Sequence, residues 1–512
     1  MRRTAIALFI VLLAAPALYG QADPPQGPPQ FVTTPILLHV NETALDHGHF
    51  VFTEGAAIPS PLAPNLGLAV FTPATFAGTA IVSNEIDVSA KPDSYEGETT
   101  GASAGLLLVG GSNRVYPGNC GAAGSSQGVG VFGDCSPLSY VSTDGLTWTK
   151  GSVPRVIEGT TFGICFDPGI DYDKNGTFFY SYGCAPLSGS YPNGVFVASS
   201  TDGATWTSKP HVTFNNNRFF DDKYYIAVDR SNTTFANRIY VSWDRNSGNN
   251  QILYIAFSSN GGTTWSAPIK VNDGTSKFER VIGAYPAVDQ ASGVVYDSWH
   301  DYARNIIFVD KSTNGGVSWG TDRAAATTHA GFGTDIGCVG GRSQGPAHAL
   351  KVGPSGTLYL VYADPTTGGH GFDILLTKST NGGTTWSAPV TLNDDGGAAD
   401  QFHPTLSVES NGLGGDKITV SFYDRRDDPA NCLAYVYTTN STDNGATWSA
   451  NVRATSAQSN FNGNPNGPGD YSSSTPGTVL LGGAWWFHCD HRTTNPETAS
   501  GGAYDVYSGK VQ

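Results

Sequence analysis

The chain is short of charge: of its 512 residues only 14% are Asp, Glu, Lys or Arg. The balance is acidic, with a formal net charge of -15. No concentrated basic face is therefore available to follow a phosphate backbone, and a nucleic-acid partner is excluded. An anionic membrane surface is disfavoured on the same ground. Helical periodicity is almost missing. The chain also has no C-x-x-C pair for zinc, no glycine-rich phosphate loop, no G-x-S-x-G elbow and no H-E-x-x-H. No cofactor and no metal is expected. "DYDKNGT" (171–177) imitates the start of a calcium loop, but Tyr182 stands where a bidentate Glu is needed. A hairpin turn is the better reading there, and calcium finds no support. Beyond the first residues no long uncharged apolar run occurs, so membrane insertion is not expected.

What the chain does have is glycine, 64 copies, which suits a turn-rich, exported β-protein. Residues 1–22 carry Arg2 and Arg3, an apolar run from Ala5 to Leu13 and then small residues. This pattern reads as a secretory signal peptide and predicts a secreted or periplasmic mature protein. Residues 23–66 read as a Pro-rich leader and N-terminal segment, and 67–512 as one domain. Seven cysteines in an exported chain predict disulfides. Proximity in sequence favours Cys120–Cys135 and Cys165–Cys184, then Cys432–Cys489, which leaves Cys338 free.

One phrase recurs six times, ending at Trp148, Trp206, Trp265, Trp319, Trp386 and Trp448. Successive copies lie 58, 59, 54, 67 and 62 residues apart. Between them run short β-branched and aromatic stretches such as "RIYVSWD" (238–244) and "KITVSFYD" (417–424), broken by Gly, Asn and Asp. Repeats of about four strands over roughly 40 to 60 residues predict an all-β propeller of four-stranded antiparallel blades. With the stretch after the last phrase, seven units are counted: roughly 82–150, 151–208, 209–268, 269–321, 322–389, 390–451 and 452–512. The last lacks a fourth strand, which "GLAVFT" (67–72) is placed to supply.

The fullest copy, "STDNGATW" (441–448), fits S-x-D-x-G-x-T-W. Asp or Asn bonds the backbone of its own turn, Gly supplies a positive φ, and Trp buries a large face between blades. Six copies cannot all be active sites, so the phrase is read as structural. It is the Asp-box, and the chain resembles the sialidase superfamily of Asp-box (BNR-repeat) propellers across nearly all of the expected mature chain. A six-bladed sialidase-type ring is the alternative that this resemblance offers. It implies an exo-α-sialidase-like glycoside hydrolase acting on terminal, acidic sugars. The same superfamily includes non-catalytic propellers that bind glycan or protein, and lyases. A carbohydrate or glycoconjugate partner is implied in each case.

The boxes of that family lie opposite its active site. Attention therefore goes to the starts of the first strands and to the loops after the second. On the residues alone, the first-strand starts give Glu98, Asp167, Asp221, Asp222, Lys223, Tyr285, His348, His403 and Asp470, and the loops after the second strands add Asp244, Asp364, Asp424 and Asp490 on the same face. Converging ionisable groups can shift one another's pKa, as glycosidic cleavage requires. The resemblance assigns roles: Asp167 or Asp222 as acid, Tyr285 with Glu279 as nucleophile pair, and Arg342, Arg426 and Arg492 as a carboxylate clamp. Arg425, His403 and Asp470 complete the proposed substrate contacts. The family's N-terminal Arg-Ile-Pro motif has no counterpart here. Trp485, Trp486 and Phe487 read as packing residues, with stacking on sugar rings as the alternative.

Overall fold

The computed structural model describes residues 72–83, 85–89, 96–114, 136–185, 192–216, 219–247, 250–274, 280–331, 334–339, 345, 347–366, 371–462, 468–492 and 505–512. Among them every regular element is a strand. The strands form seven mainly antiparallel sheets, which are the blades of a seven-bladed propeller. Blade 1 runs from Thr100 to Ser152, blade 2 from Ile164 to Asn216 and blade 3 from Phe220 to Lys270. Blade 4 spans Val281 to Thr327, blade 5 His348 to Thr391, and blade 6 Gln401 to Arg453. Blade 7 is built from Ser473 to Val511 and is finished by Ile86–Asp87, paired antiparallel with Ser508 and Tyr507. The first strands touch in succession around the ring, blade 7 closing on blade 1.

Strands such as "IYVSWDRNS" (Ile239–Ser247) are β-branched and aromatic because both faces of a blade are covered. Seven apolar clusters result, one at each interface between neighbouring blades. Trp485, Trp486 and Phe487 belong to these cores and are buried. The reading of them as packing residues holds.

Each Asp-box caps the turn after a third strand. In the last, Ser441 Oγ donates to Asp443 Oδ1 (2.8 Å), which accepts the N–H groups of Ala446 (3.0 Å) and Thr447 (2.9 Å). Asn260, Asn314 and Asn381 accept from Thr264, Ser318 and Thr385 in the same way, which explains why Asn replaces Asp freely. The box also docks on the preceding blade. Gly203 (φ +73°) lies against Val109 and Val141 of blade 1, and Trp206 Nε1 donates to Ser139 Oγ (2.8 Å). The phrase holds neighbouring blades together. The turn at 171–177 is likewise a hairpin: Asp173 Oδ1 accepts Asn175 and Thr177 N–H, each at 2.9 Å.

Two expectations are corrected. Ring closure uses Ile86–Asp87 rather than 67–72; of that stretch only Thr72 is described, and Thr72–Pro73 pairs parallel with Val390–Thr391 on blade 5. Phe76–Thr79 pairs parallel with Trp448–Ala450 on blade 6, so this segment crosses the outer edges of two blades before closing the seventh. Cys165–Cys184 forms as expected, across the first two strands of blade 2. Cys338, however, bonds Cys432, and among the described residues Cys489 is a buried free thiol. Sequence proximity fails here because the second-to-third-strand loop of blade 6 meets the chain leading into blade 5. Cys120, Cys135 and residues 1–22, which the sequence reads as a signal peptide, lie outside the described residues. Two disulfides suit an oxidising, extracellular-type compartment.

Candidate functional site

The first strands share a local device. In blades 2, 3, 4 and 6 the register slips by one residue near the strand start. Blade 1 does the same, since Asn113 N–H bonds Gly97 O while Thr100 pairs with Gly111. The extra residue takes a positive φ: Glu98 at 54°, Asp167 at 57°, Lys223 at 53°, Gly283 at 76° and His403 at 49°. Only glycine holds that conformation without cost; the others store on the order of 1–3 kcal/mol each. Such bulges re-aim side chains and cluster beside functional sites. They lie at the end of the ring opposite the boxes, because each first strand starts beside the end of its second: Asp222 pairs with Asp244, and Ile239 with Ser258 at the box end.

Three bulge residues meet. Lys223 Nζ lies 3.6 Å from Asp167 Oδ2, 3.9 Å from Glu98 Oε1 and 2.5 Å from Asp470 Oδ2. Asp470 leads into blade 7, so this last bond spans the axis. Asn113 of blade 1 donates to the Glu98 carboxyl and accepts the backbone N–H of Asp167 (2.8 Å), tying the two bulges together. Lys223 N–H in turn donates to Asp167 Oδ2 (3.2 Å) and Asp222 Oδ1 (3.0 Å). Glu98, Asp167 and Asp244 are buried, while Asp222 and Asp470 keep part of their surface.

So many carboxyls around one ammonium cannot all ionise easily. Burial, reinforced by Asp167, raises the Glu98 carboxyl well above the carboxylate range. Burial and the charge of Asp222 do the same to Asp244, whose Oδ2 has no hydrogen-bond partner among the described residues. Asp222 is pushed up to about 7 by burial and by Asp167, against the pull of Lys223. Burial opposes the charge on Lys223, but Asp167, Asp470, Asp222 and Glu98 outweigh it and hold the amine protonated.

An aromatic row lies alongside. Tyr225 of blade 3 is 4.8 Å from Tyr285 of blade 4 and 5.0 Å from Tyr471 of blade 7, ring centre to ring centre. Tyr471 donates to Pro168 O (3.2 Å). His348 stands 6.4 Å from Tyr285, and burial lowers its imidazole to about 4, so it is neutral at pH 7. Lys351 Nζ lies 5.4 Å from the centre of the Tyr285 ring. Beneath, Asp297 accepts Tyr285 N–H (3.1 Å) and the Ser242 hydroxyl, and burial pushes its carboxyl to about 8.

Of the residues singled out in the sequence, Asp167, Asp222, Asp470 and Tyr285 are thus gathered at the axis, with Glu98, Lys223 and His348. Glu279 and Arg342 lie outside the described residues. The other arginines are held by acids of their own blades or connectors. Arg425 is fully buried, pairing with Asp400 (3.2 Å) and donating to Ile336 O and Gly337 O. Arg426 pairs with Asp394 (2.5 Å) and Asp424 (2.8 Å). Arg492 pairs with Glu85 (2.6 Å) and Asp490 (2.8 Å). His403 is enclosed by Phe402 and Tyr423. Asp221 turns away from the axis to Arg245 (2.6 Å).

Sequence reasoning passes over Tyr225, Tyr471, Asp297 and Lys351. Tyr225 had a visible signal: it and Tyr285 occupy the same register position, just past the bulge, in successive blades. Tyr471 directly follows Asp470.

No protein-family model matches this sequence, and no curated protein matches it. Solved structures do resemble the fold at low identity. The Hadza microbial sialidase Hz136 is 14% identical over 86% of this chain and 98% of its own, with a TM-score of 0.42. A polysaccharide lyase, an ulvan lyase, is 10% identical over 80% and 93%, with a TM-score of 0.46. An α-L-arabinofuranosidase of Fusarium graminearum is 14% identical over 86% and 98%, with a TM-score of 0.41. The likeness is one of fold.

Proposed function

We propose that this chain hydrolyses a terminal glycosidic bond at the axial end of its propeller, with Asp222 as proton donor. The observation that carries the reading is the setting of Asp222, a partly exposed residue among Asp167, Asp244 and Lys223 whose carboxyl is pushed up to about 7 by burial and by Asp167. A general acid needs that combination of reach and affinity for its proton. Asp470 and Tyr285 are the accessible partners beside it, as substrate contact and nucleophile respectively. Asp167, buried and bonded to the Lys223 N–H, acts through its neighbours by tuning Asp222.

A second reading, a propeller that binds glycan without cleaving it, is favoured by the engaged state of Arg425, Arg426 and Arg492. Mass spectrometry of glycans incubated with the purified chain separates the two. Released monosaccharide that disappears with Asp222→Asn supports hydrolysis. Retention of intact glycan by wild type and variant alike supports binding alone.

A further inference from the structure

Building on the hydrolytic reading, we infer that the axial site takes an uncharged sugar, not a carboxylated one. Three observations lead there. First, the partly exposed residues gathered here are Asp222, Asp470, Tyr225, Tyr285 and His348, none of them a cation, and Lys351 beside them lies with its Nζ against the Tyr285 ring, 5.4 Å from its centre. His348 is neutral at pH 7, and Lys223 is buried and already serves Asp167 and Asp470, with the Glu98 carboxyl beside it. Second, five arginines that could recognise an acid bidentately are engaged elsewhere. Arg245, Arg304, Arg425, Arg426 and Arg492 each pair with an aspartate or glutamate of the chain. Moving one to a ligand would leave a carboxylate uncompensated, and for Asp221, Asp301 and Asp424 that carboxylate is fully buried.

Third, the surface left is chemically suited to hydroxyls and ring faces. Asp222 near its midpoint both donates and accepts, and Asp470 accepts. The Tyr225 and Tyr285 rings, 4.8 Å apart and partly exposed, offer aromatic faces to the C–H side of a pyranose or furanose. A sugar carboxylate placed in the same volume would face Asp470 and would raise the proton affinity of Asp222 further. Like charges at such separations in a half-buried site oppose binding strongly.

The test is a set of matched aryl glycosides that differ only at C6, galactoside against galacturonide and glucoside against glucuronide. Aryl arabinofuranoside, fucoside and sialoside extend it. The wild-type chain should favour the neutral member by at least tenfold in kcat/KM, and Asp470→Asn should narrow that ratio by admitting the acid. Equal or better turnover of a uronide or the sialoside would overturn the neutral-sugar assignment while leaving hydrolysis standing. Turnover of none of the set would remove the hydrolytic reading, and the inference with it.

Discussion

Lys223 Nζ of blade 3 lies 2.5 Å from Asp470 Oδ2, which leads into blade 7, so a single ion pair ties blades that share no interface. Lys223 is also the common partner of Glu98 and Asp167. Lys223→Met would leave these carboxylates buried without a cation, a change that costs about 3–5 kcal/mol when a partly buried network loses one partner. The penalty should be large at pH 8 and small at pH 5, where the orphaned carboxyls can take up protons. Urea midpoints at the two pH values check this. An equal loss at both would mean that Lys223 contributes packing and not charge.

Asp297 makes a second prediction, about stability against pH. Its folded pKa, about 8, lies above the ordinary carboxylate value. A raised value means the folded state binds the proton more tightly, so the contribution is full below about pH 4 and fades as pH rises through 8. His348, lowered to about 4, acts in the opposite sense: its contribution is full above its unfolded value and is lost as pH falls towards 4. Stability should therefore peak on the mildly acidic side of neutrality. Asn at 297 keeps an acceptor for Tyr285 N–H and a partner for Ser242. Asp297→Asn should accordingly flatten the alkaline decline, by on the order of a few kcal/mol at pH 9. Thermal unfolding across pH 4–9 reads the difference.

Gly145 of the first Asp-box has φ +70°, and a Cβ there would stand 2.2 Å from the Trp485 ring of blade 7. Gly145→Ala forces both a left-handed alanine and a displaced indole. The loss should reach about 2–4 kcal/mol, the range of strained core substitutions. Gly105 also has a positive φ but an open surrounding, so Gly105→Ala should lose only the backbone part, about 1 kcal/mol. Comparable losses at the two sites would remove the role of the box as an inter-blade staple.

The Cys338–Cys432 bond closes 94 residues of chain. On the loop-entropy view such a bond contributes up to about 4–5 kcal/mol. Cys338→Ser should lower the unfolding midpoint and free the Cys432 thiol, whereas Cys489→Ser should leave both described disulfides intact. Thiol counting and peptide mapping under denaturing, non-reducing conditions decide this.

How much of this was legible beforehand follows physical lines. The blades were readable because each carries its own hairpins and box, and local periodicity reports local structure. The convergence of Glu98, Asp167, Asp222 and Asp470 was readable too, since a propeller sends every first-strand start to one end. What escaped depends on contacts between distant parts of the chain. Ile86–Asp87 supplies two residues to a sheet more than 400 positions away, too short a run to announce itself. Cys338 and Cys432 meet only because adjacent blades meet. The arginines look alike in sequence. Their engagement with Asp400, Asp394 and Glu85 shows only once the partners are in place.

The most direct test of the account is the pH dependence of kcat/KM on the best glycoside, for wild type and Asp222→Asn. Asp222 as proton donor predicts activity that falls as pH rises through about 7, where its carboxyl ionises. The substitution should lower kcat by about 10²–10⁴-fold, the usual worth of a positioned acid, and abolish that limb. A variant that keeps both the rate and the limb would contradict the placement of the chemistry at the axis.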